Sequence, residues 1–111
     1  MVNRKVNHFY QNINGFMNHR NTAMLDLVLQ SFPAGGCWVE LGAWTGKSTA
    51  YCVVELIQRH KLGEFYCVDT WDGGVELVDQ HIVKSQTLEQ VFTNNIAPII
   101  DRVIQIGRAH V

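Results

Sequence analysis

One stretch decides the fold of this chain: it runs Trp38-Val39-Glu40-Leu41-Gly42-Ala43-Trp44-Thr45-Gly46-Lys47-Ser48-Thr49. The apolar start reads as a buried strand, Gly42 to Gly46 as a sharp turn, and the residues from Ser48 as the beginning of a helix. Glycine permits both the turn and the close approach of a ligand to the backbone. Because the free N–H groups of the following helix point at that turn, the pattern is typical of a site for a nucleotide-like ligand.

Two acidic residues follow apolar runs and define the chemistry of this predicted site. Glu40 lies near the end of the first run, and Asp69 directly follows the second, Phe65-Tyr66-Cys67-Val68. A carboxylate at Glu40 repels a pyrophosphate but attracts an ammonium or sulfonium group. Asp69, at the carboxyl end of a neighbouring parallel strand, is placed to accept hydrogen bonds from ribose hydroxyls. The pair therefore predicts a ribonucleoside with a positive tail, S-adenosylmethionine.

The rest of the chain supplies the elements of an α/β fold. We expect a first helix, capped by Asn21 or Thr22 and running to about Phe32, and then a strand over 37–41. A helix from Ser48 to about His60 follows, and after it a strand over 65–68 that is buried on both faces. A polar loop over 70–84 leads to a helix from Leu88 to about Ile96, which a Thr87–Gln90 capping box opens, and a strand over 102–106 comes last. This order predicts the N-terminal half of a Rossmann-like parallel sheet, strand-helix-strand-helix-strand after a leading helix.

The predicted domain organisation has two parts. Residues 1–20 form a polar N-terminal arm, and residues 21–111 form a partial cofactor-binding α/β domain. A third strand that begins near residue 102 of 111 does not complete a doubly wound domain, so we expect the chain to be truncated at its C-terminus. Truncation would leave the first strand with an open edge, and an open edge favours aggregation.

Composition excludes several function classes. The chain has 111 residues, is 47% hydrophobic and carries a formal charge of -1, which suits one modest domain and gives no electrostatic reason to expect nucleic acid. No apolar run approaches the roughly 20 residues of a membrane span, and no secretory signal is evident. Cys37, Cys52 and Cys67 lack metal spacing and read as reduced core thiols of a cytoplasmic protein. The five histidines, His81 among them, lack zinc-ligand spacing, so we expect no metal site.

Two motifs resemble those of a known family. Residues 40–49 look like the first motif of class I S-adenosylmethionine-dependent methyltransferases, in the subgroup with E-x-G-x-[WY]-x-G-[KR]-S, methyltransferase family 24, related to macrocin-type O-methyltransferases. Cys67-Val68-Asp69-Thr70-Trp71-Asp72-Gly73 is similar to the second motif of that group, V-D-T-[WF]-x-G. Residues 83–88, with Phe92, Asn95-Ile96 and Pro98, resemble it too, so the likeness covers about residues 24–105.

The resemblance implies an enzyme that transfers a methyl group from S-adenosylmethionine to a small-molecule acceptor, through an oxygen atom. The residues it implies for cofactor binding are Glu40, Gly42, Ala43, Trp44, Gly46, Ser48, Asp69, Thr70 and Trp71. The later acidic segment of the family, which helps form the active site and sometimes a divalent metal site, has no counterpart here. No catalytic residue can therefore be assigned, and we expect this chain alone to be inactive.

Other functions compete with this one. A P-loop nucleotide hydrolase fits Gly46-Lys47-Ser48, but its first glycine would fall on Leu41. A nicotinamide dinucleotide binder needs a glycine where Trp44 stands. A non-catalytic remnant is the third alternative.

Single residues also have structural interpretations. Glu40 could be satisfied by backbone N–H groups, Asp69 could cap the turn over 70–74, and Lys47 reads as a solvated side chain. Trp44 either shields the cofactor or packs a helix against the sheet, with packing favoured. Trp71 either stacks near the adenosine or anchors its loop.

Overall fold

The computed structural model describes residues 6–71 and 87–107, and these residues form one parallel sheet with helices. The strands are β1 (Cys37–Leu41), β2 (Glu64–Val68) and β3 (Ile104–Ile106), in the order β1-β2-β3. The helices are α1 (His19–Ser31), α2 (Lys47–Gln58) and α3 (Leu88–Asn95), with 3-10 helices at Tyr10–Asn12 and Ala97–Arg102. The prediction of an α/β arrangement with a Rossmann-like parallel sheet is confirmed.

The strand register brings the carboxyl ends of β1 and β2 together. Leu41 pairs with Val68, and the N–H of Gly42 continues the ladder with a 2.8 Å hydrogen bond to the carbonyl oxygen of Val68. At the same end, the N–H of Asp69 donates to the carbonyl of Ile106 in β3. The residues that follow β1 and β2 therefore emerge side by side at one edge of the sheet.

The two faces of the sheet are covered unequally. Phe65 and Cys67 point to one face and are fully buried, together with most of α2, whose buried residues are 49–54 and Leu56. On the other face Val39 and Leu41 are 54% and 76% exposed. The prediction that the second strand is buried on both faces is wrong, because within the described residues the helices pack on one side only.

Three details of the sequence-based prediction need correction. Helix α1 begins earlier than expected, since Asn18 is its N-cap and makes a reciprocal capping box with Asn21. Strand β3 begins at Ile104 rather than residue 102, because the 3-10 helix at Ala97–Arg102, with Pro98 in its first turn, occupies the preceding residues. Cys37 is exposed rather than a core thiol, because it lies on the sheet face of Val39 and Leu41, which no described helix covers and which we call the bare sheet face. Cys52 and Cys67 are buried as expected.

Other predicted boundaries agree closely. Helix α2 ends at Gln58, two residues before the expected end, and the capping box of Thr87 and Gln90 opens α3 as predicted. Most of the loop predicted over 70–84, with His81, lies outside the described residues. In residues 6–71 and 87–107, none of the helices combines the length and the apolar character needed to cross a bilayer.

Candidate functional site

The turn between β1 and α2 depends on left-handed backbone. Gly42, Trp44 and Gly46 have φ angles of 75°, 53° and 94°. A Cβ atom on Gly46 would lie 2.8 Å from Cγ2 of Ile96 and 3.0 Å from Cδ1 of Phe92, so glycine is required there by both conformation and packing. A Cβ on Gly42 would meet nothing within 4 Å, which leaves the backbone open to a ligand.

Glu40 is satisfied by side chains rather than by the backbone N–H groups of its alternative, structural interpretation. The hydroxyl groups of Ser48 and Thr49, on the first turn of α2, donate to its Oε2 and Oε1 atoms. The Sγ atom of Cys67 lies 3.7 Å from Oε1. The carboxylate is therefore fixed at the tip of β1 by the helix that follows the turn and by the neighbouring strand.

Burial governs the ionisation of this cluster. It raises the pKa of the Glu40 carboxyl, and the nearby charge of Asp69 raises it further, while the hydrogen bonds from Ser48, Thr49 and Cys67 lower it. Burial is also the main reason why the pKa of the Cys67 thiol rises to about 12, so this thiol stays protonated at neutral pH.

Asp69 joins two turns through its two carboxylate oxygens. Oδ2 accepts a 3.0 Å hydrogen bond from the N–H of Trp44, and Oδ1 accepts a 2.9 Å hydrogen bond from the N–H of Trp71. Both donors have left-handed backbone, at φ 53° and 65°, so the carboxylate stabilises two conformations that a large side chain disfavours. Asp69 thus bonds the backbone directly after β2 and also holds the glycine turn beside Glu40. The turn over 70–74 that the structural interpretation assigned to it lies mostly outside the described residues.

Each oxygen of Asp69 has a further lone pair, since a carboxylate offers about four acceptor positions. The two backbone hydrogen bonds therefore fix the carboxylate without using all its acceptor capacity. No basic side chain in the described ranges forms an ion pair with Glu40 or Asp69: the ion pairs there join His8 with Glu55, Arg59 with Asp26 and Glu55, and Arg102 with Asp101. The strand tips carry two carboxylates with no cationic partner from this part of the chain.

The two tryptophans differ in their surroundings. Trp71 packs on Phe92 with ring centroids 4.9 Å apart, which fits the loop-anchor interpretation. Its buried indole N–H finds no hydrogen-bond partner among residues 6–71 and 87–107. Trp44 is half-buried and is not among the described side chains that pack against the core. The packing role favoured for Trp44 therefore finds no support among these residues.

Lys47 is not the solvated side chain that its position suggested. Its Nζ atom donates a 2.8 Å hydrogen bond to the carbonyl oxygen of Ile13. The neighbouring Thr45 donates from Oγ1 to the carbonyl oxygen of Asn14 at 2.6 Å. Both contacts span more than 30 residues of sequence, so no local pattern could reveal them.

The remaining predicted residues lie around the same turn. Ala43 is buried at its base, whereas Gly42 and Thr70 are exposed at the tips of β1 and β2. Sequence reasoning missed Thr49, although a second hydroxyl beside Ser48 on the first turn of α2 was a usable signal. It also missed Asn95, whose Nδ2 donates to the carbonyl oxygen of Thr45 at 2.9 Å from 50 residues away.

The described side chains do not form a metal centre. Within residues 6–71 and 87–107, no group of three or more His, Cys, Asp or Glu residues is arranged to hold a metal ion.

Comparison with known protein families and with curated proteins finds no match to this chain.

Proposed function

We propose that this chain is the cofactor-binding half of an S-adenosylmethionine-dependent methyltransferase whose acceptor is an oxygen atom of a small molecule. The observation that carries the proposal is the pair of carboxylates, Glu40 and Asp69, at adjacent strand tips beside an open glycine turn. Two fixed negative charges with no basic partner among the described residues favour a ligand with a positive group.

The size of this preference can be judged from Coulomb's law. One unit charge about 4 Å from another gives roughly 4 kcal/mol at the effective dielectric constant of 20 that suits sites near a protein surface. An ammonium or sulfonium group near Glu40 gains this attraction, whereas each negative charge of a pyrophosphate is repelled by a similar amount. A cationic ligand would also lower the pKa of Glu40, which burial raises.

The contacts of Lys47 support this proposal over the P-loop alternative. A P-loop directs its lysine at the β- and γ-phosphates of a nucleotide. Here the ammonium group donates to the carbonyl of Ile13 and so serves a structural purpose. The nicotinamide alternative meets a second obstacle, because Trp44 places a large side chain on the turn where a dinucleotide fold needs glycine.

The proposed roles of the residues are binding and orientation. Asp69 would accept hydrogen bonds from the ribose hydroxyls, Glu40 would attract the positive methionine portion, and Gly42 would let the cofactor approach the backbone. The bound cofactor supplies both the electrophilic methyl group and the leaving group. The protein accelerates such a displacement mainly by holding the acceptor in line. No described residue is assigned as the base for an oxygen acceptor.

The thiols fit a reducing compartment, and we propose the cytoplasm. Cys52 and Cys67 are buried and free, and burial raises the pKa of both thiols. Such thiols behave as small apolar core residues.

The test is calorimetry on the full chain with S-adenosylhomocysteine, ATP and NAD in separate titrations. We expect saturable heat with S-adenosylhomocysteine alone. Glu40→Gln should weaken that binding about tenfold, because desolvation of the charged groups offsets most of the roughly 4 kcal/mol of Coulomb attraction and leaves a net loss of about 1.4 kcal/mol.

Glu64→Gln is the matched control, since Glu64 is an exposed glutamate at the opposite end of β2. This variant should bind S-adenosylhomocysteine like the unmodified chain. Heat with ATP alone would replace the proposal with the P-loop alternative, and heat with none of the three ligands would favour a non-catalytic remnant.

A further inference from the structure

Residues 6–17, which we name the N-terminal strap, lie along α2 and are fixed to it at their start. Gln58 donates from Nε2 to the carbonyl oxygen of Val6 at 2.7 Å. Nε2 of His8 lies 2.6 Å from Oε2 of Glu55, and the His8 ring stacks on Tyr51 with centroids 5.0 Å apart. The first contact point of the strap is therefore the C-terminal half of α2.

The end of the strap reaches the glycine turn. Ile13 is buried, and its carbonyl oxygen accepts the hydrogen bond from Lys47. The next carbonyl, of Asn14, accepts from Thr45. These two donors flank Gly46, the N-cap of α2, so the strap is bonded to the residues on both sides of the left-handed glycine.

The turn is held from its other side by α3. Asn95 donates to the carbonyl oxygen of Thr45, and the position of a Gly46 Cβ is filled by Ile96 and Phe92. Thr45 is thus bonded by its side chain to the strap and by its carbonyl to α3. The turn that carries the proposed ligand site is clamped between these two elements.

Lys47 is otherwise poorly placed. A cation in the first turn of a helix is disfavoured by the helix dipole, typically by about 0.3–1 kcal/mol. The hydrogen bond to the Ile13 carbonyl offsets this cost only while the strap is docked. The contact with the strap therefore explains why a lysine stands in the first turn of α2.

We propose that the N-terminal strap and the glycine turn are coupled, with Thr45 and Lys47 as positioning residues that set the turn for its ligand. Docking of the strap stabilises the conformation of the turn, and by linkage the turn stabilises the docked strap. Where the ligand is S-adenosylmethionine, this inference rests on the proposed function. The coupling of strap and turn does not depend on which ligand binds.

The first test is amide hydrogen exchange of the full chain. The N–H groups of Asn12 and Ile13 donate to the carbonyls of Phe9 and Tyr10 and so report on the strap. Lys47→Met keeps the aliphatic stem and removes the ammonium donor. We expect these two amides to exchange about tenfold faster, in keeping with loss of a charged hydrogen bond.

Lys61→Met is the matched control, because Lys61 also donates from Nζ to backbone carbonyls, those of Leu29 and Gln30 at the end of α1. It should leave the strap amides unchanged. Thr45→Val, which removes the second donor, should speed their exchange as Lys47→Met does. Unchanged strap exchange in both turn variants would overturn the proposal.

The reciprocal test alters the strap and observes the turn. His8→Ala removes the contact with Glu55 and the stacking on Tyr51 without touching the turn. We expect faster exchange at the N–H groups of Trp44 and Gly46, with the buried α2 amide of Val54 unchanged as a check on global stability. If the strap amides loosen and the turn amides do not, the two elements are independent and the proposal is wrong.

Adding S-adenosylhomocysteine separates this inference from the proposed function. If it binds, exchange in the strap should slow, and Lys47→Met should weaken its binding severalfold because the ammonium group that bonds the strap is lost. Binding with no change in the strap would overturn the coupling. Absence of binding would refute the proposed function, and the variant exchange data would still decide whether strap and turn are coupled.

Discussion

Replacing Asp69 with alanine should destabilise the protein even without a ligand. The side chain accepts hydrogen bonds from the N–H groups of Trp44 and Trp71, and the substitution leaves both donors unpaired. Each of these residues has left-handed backbone that the carboxylate helps to hold. The loss therefore affects two turns at once, although only one side chain changes.

The magnitude follows from the two hydrogen bonds. A hydrogen bond to a charged group contributes about 1.5–3 kcal/mol, and water can partly replace the carboxylate because both donors are only half-buried. We therefore use the lower value for each and expect the free energy of unfolding to fall by about 3 kcal/mol. For a domain of about 100 residues this corresponds to a decrease in melting temperature of about 12 °C.

The assay is urea denaturation followed by circular dichroism, with a thermal melt as a second measurement. Asp69→Asn keeps one acceptor oxygen and should lose about half as much free energy as Asp69→Ala. Asp101→Ala is the control, since Asp101 is exposed and forms only a surface ion pair with Arg102 at 3.8 Å. A loss below about 1 kcal/mol in Asp69→Ala would refute the structural role of the carboxylate.

Three further predictions follow from the same region. Glu40→Gln should raise the melting temperature at pH 7 and leave it unchanged at pH 4. Burial raises the pKa of Glu40 above the value of 4.5 it has when exposed, so the native state favours the protonated form and loses stability as the pH rises from 4.5 through the native pKa. Gly46→Ala should lower the free energy of unfolding by about 3 kcal/mol, because of backbone strain and the contact of the new Cβ with Ile96. Gly35→Ala is the control and should lower it by only about 1 kcal/mol, since φ is 78° there but nothing crowds the Cβ. Equal losses would show that crowding at Gly46 is unimportant. Leu41→Lys, on the bare sheet face, should raise the soluble concentration measured by light scattering, and an unchanged value would mean that this face does not drive association.

Local patterns predicted the elements of the fold. The apolar run ending at Leu41, the two glycines and the Thr87–Gln90 capping box placed β1, the turn and α3 because strands, turns and caps depend on adjacent residues. Asn18 was missed as the cap of α1 because a reciprocal box closed by asparagine is less distinctive than one closed by glutamate or glutamine. Cys37 was misplaced because an apolar run does not show which face of its strand is covered.

The candidate site was predicted in outline and missed in its connections. Placing Glu40 and Asp69 at neighbouring strand tips required only the parallel order of the strands. The contacts from Lys47 to Ile13 and from Asn95 to Thr45 join residues 34 and 50 positions apart. Such contacts depend on how whole elements pack, and a single sequence carries no signal for them.

The unequal strand pairing has a consequence for how this sheet opens. β1 and β2 are joined over five paired positions, β2 and β3 over only three. Loop-closure entropy hardly separates the two pairings, because each doubling of loop length adds only about 0.6 kcal/mol. The smaller ladder should therefore detach first in subglobal opening, with β1, α2 and β2 persisting together as the most durable cooperative unit.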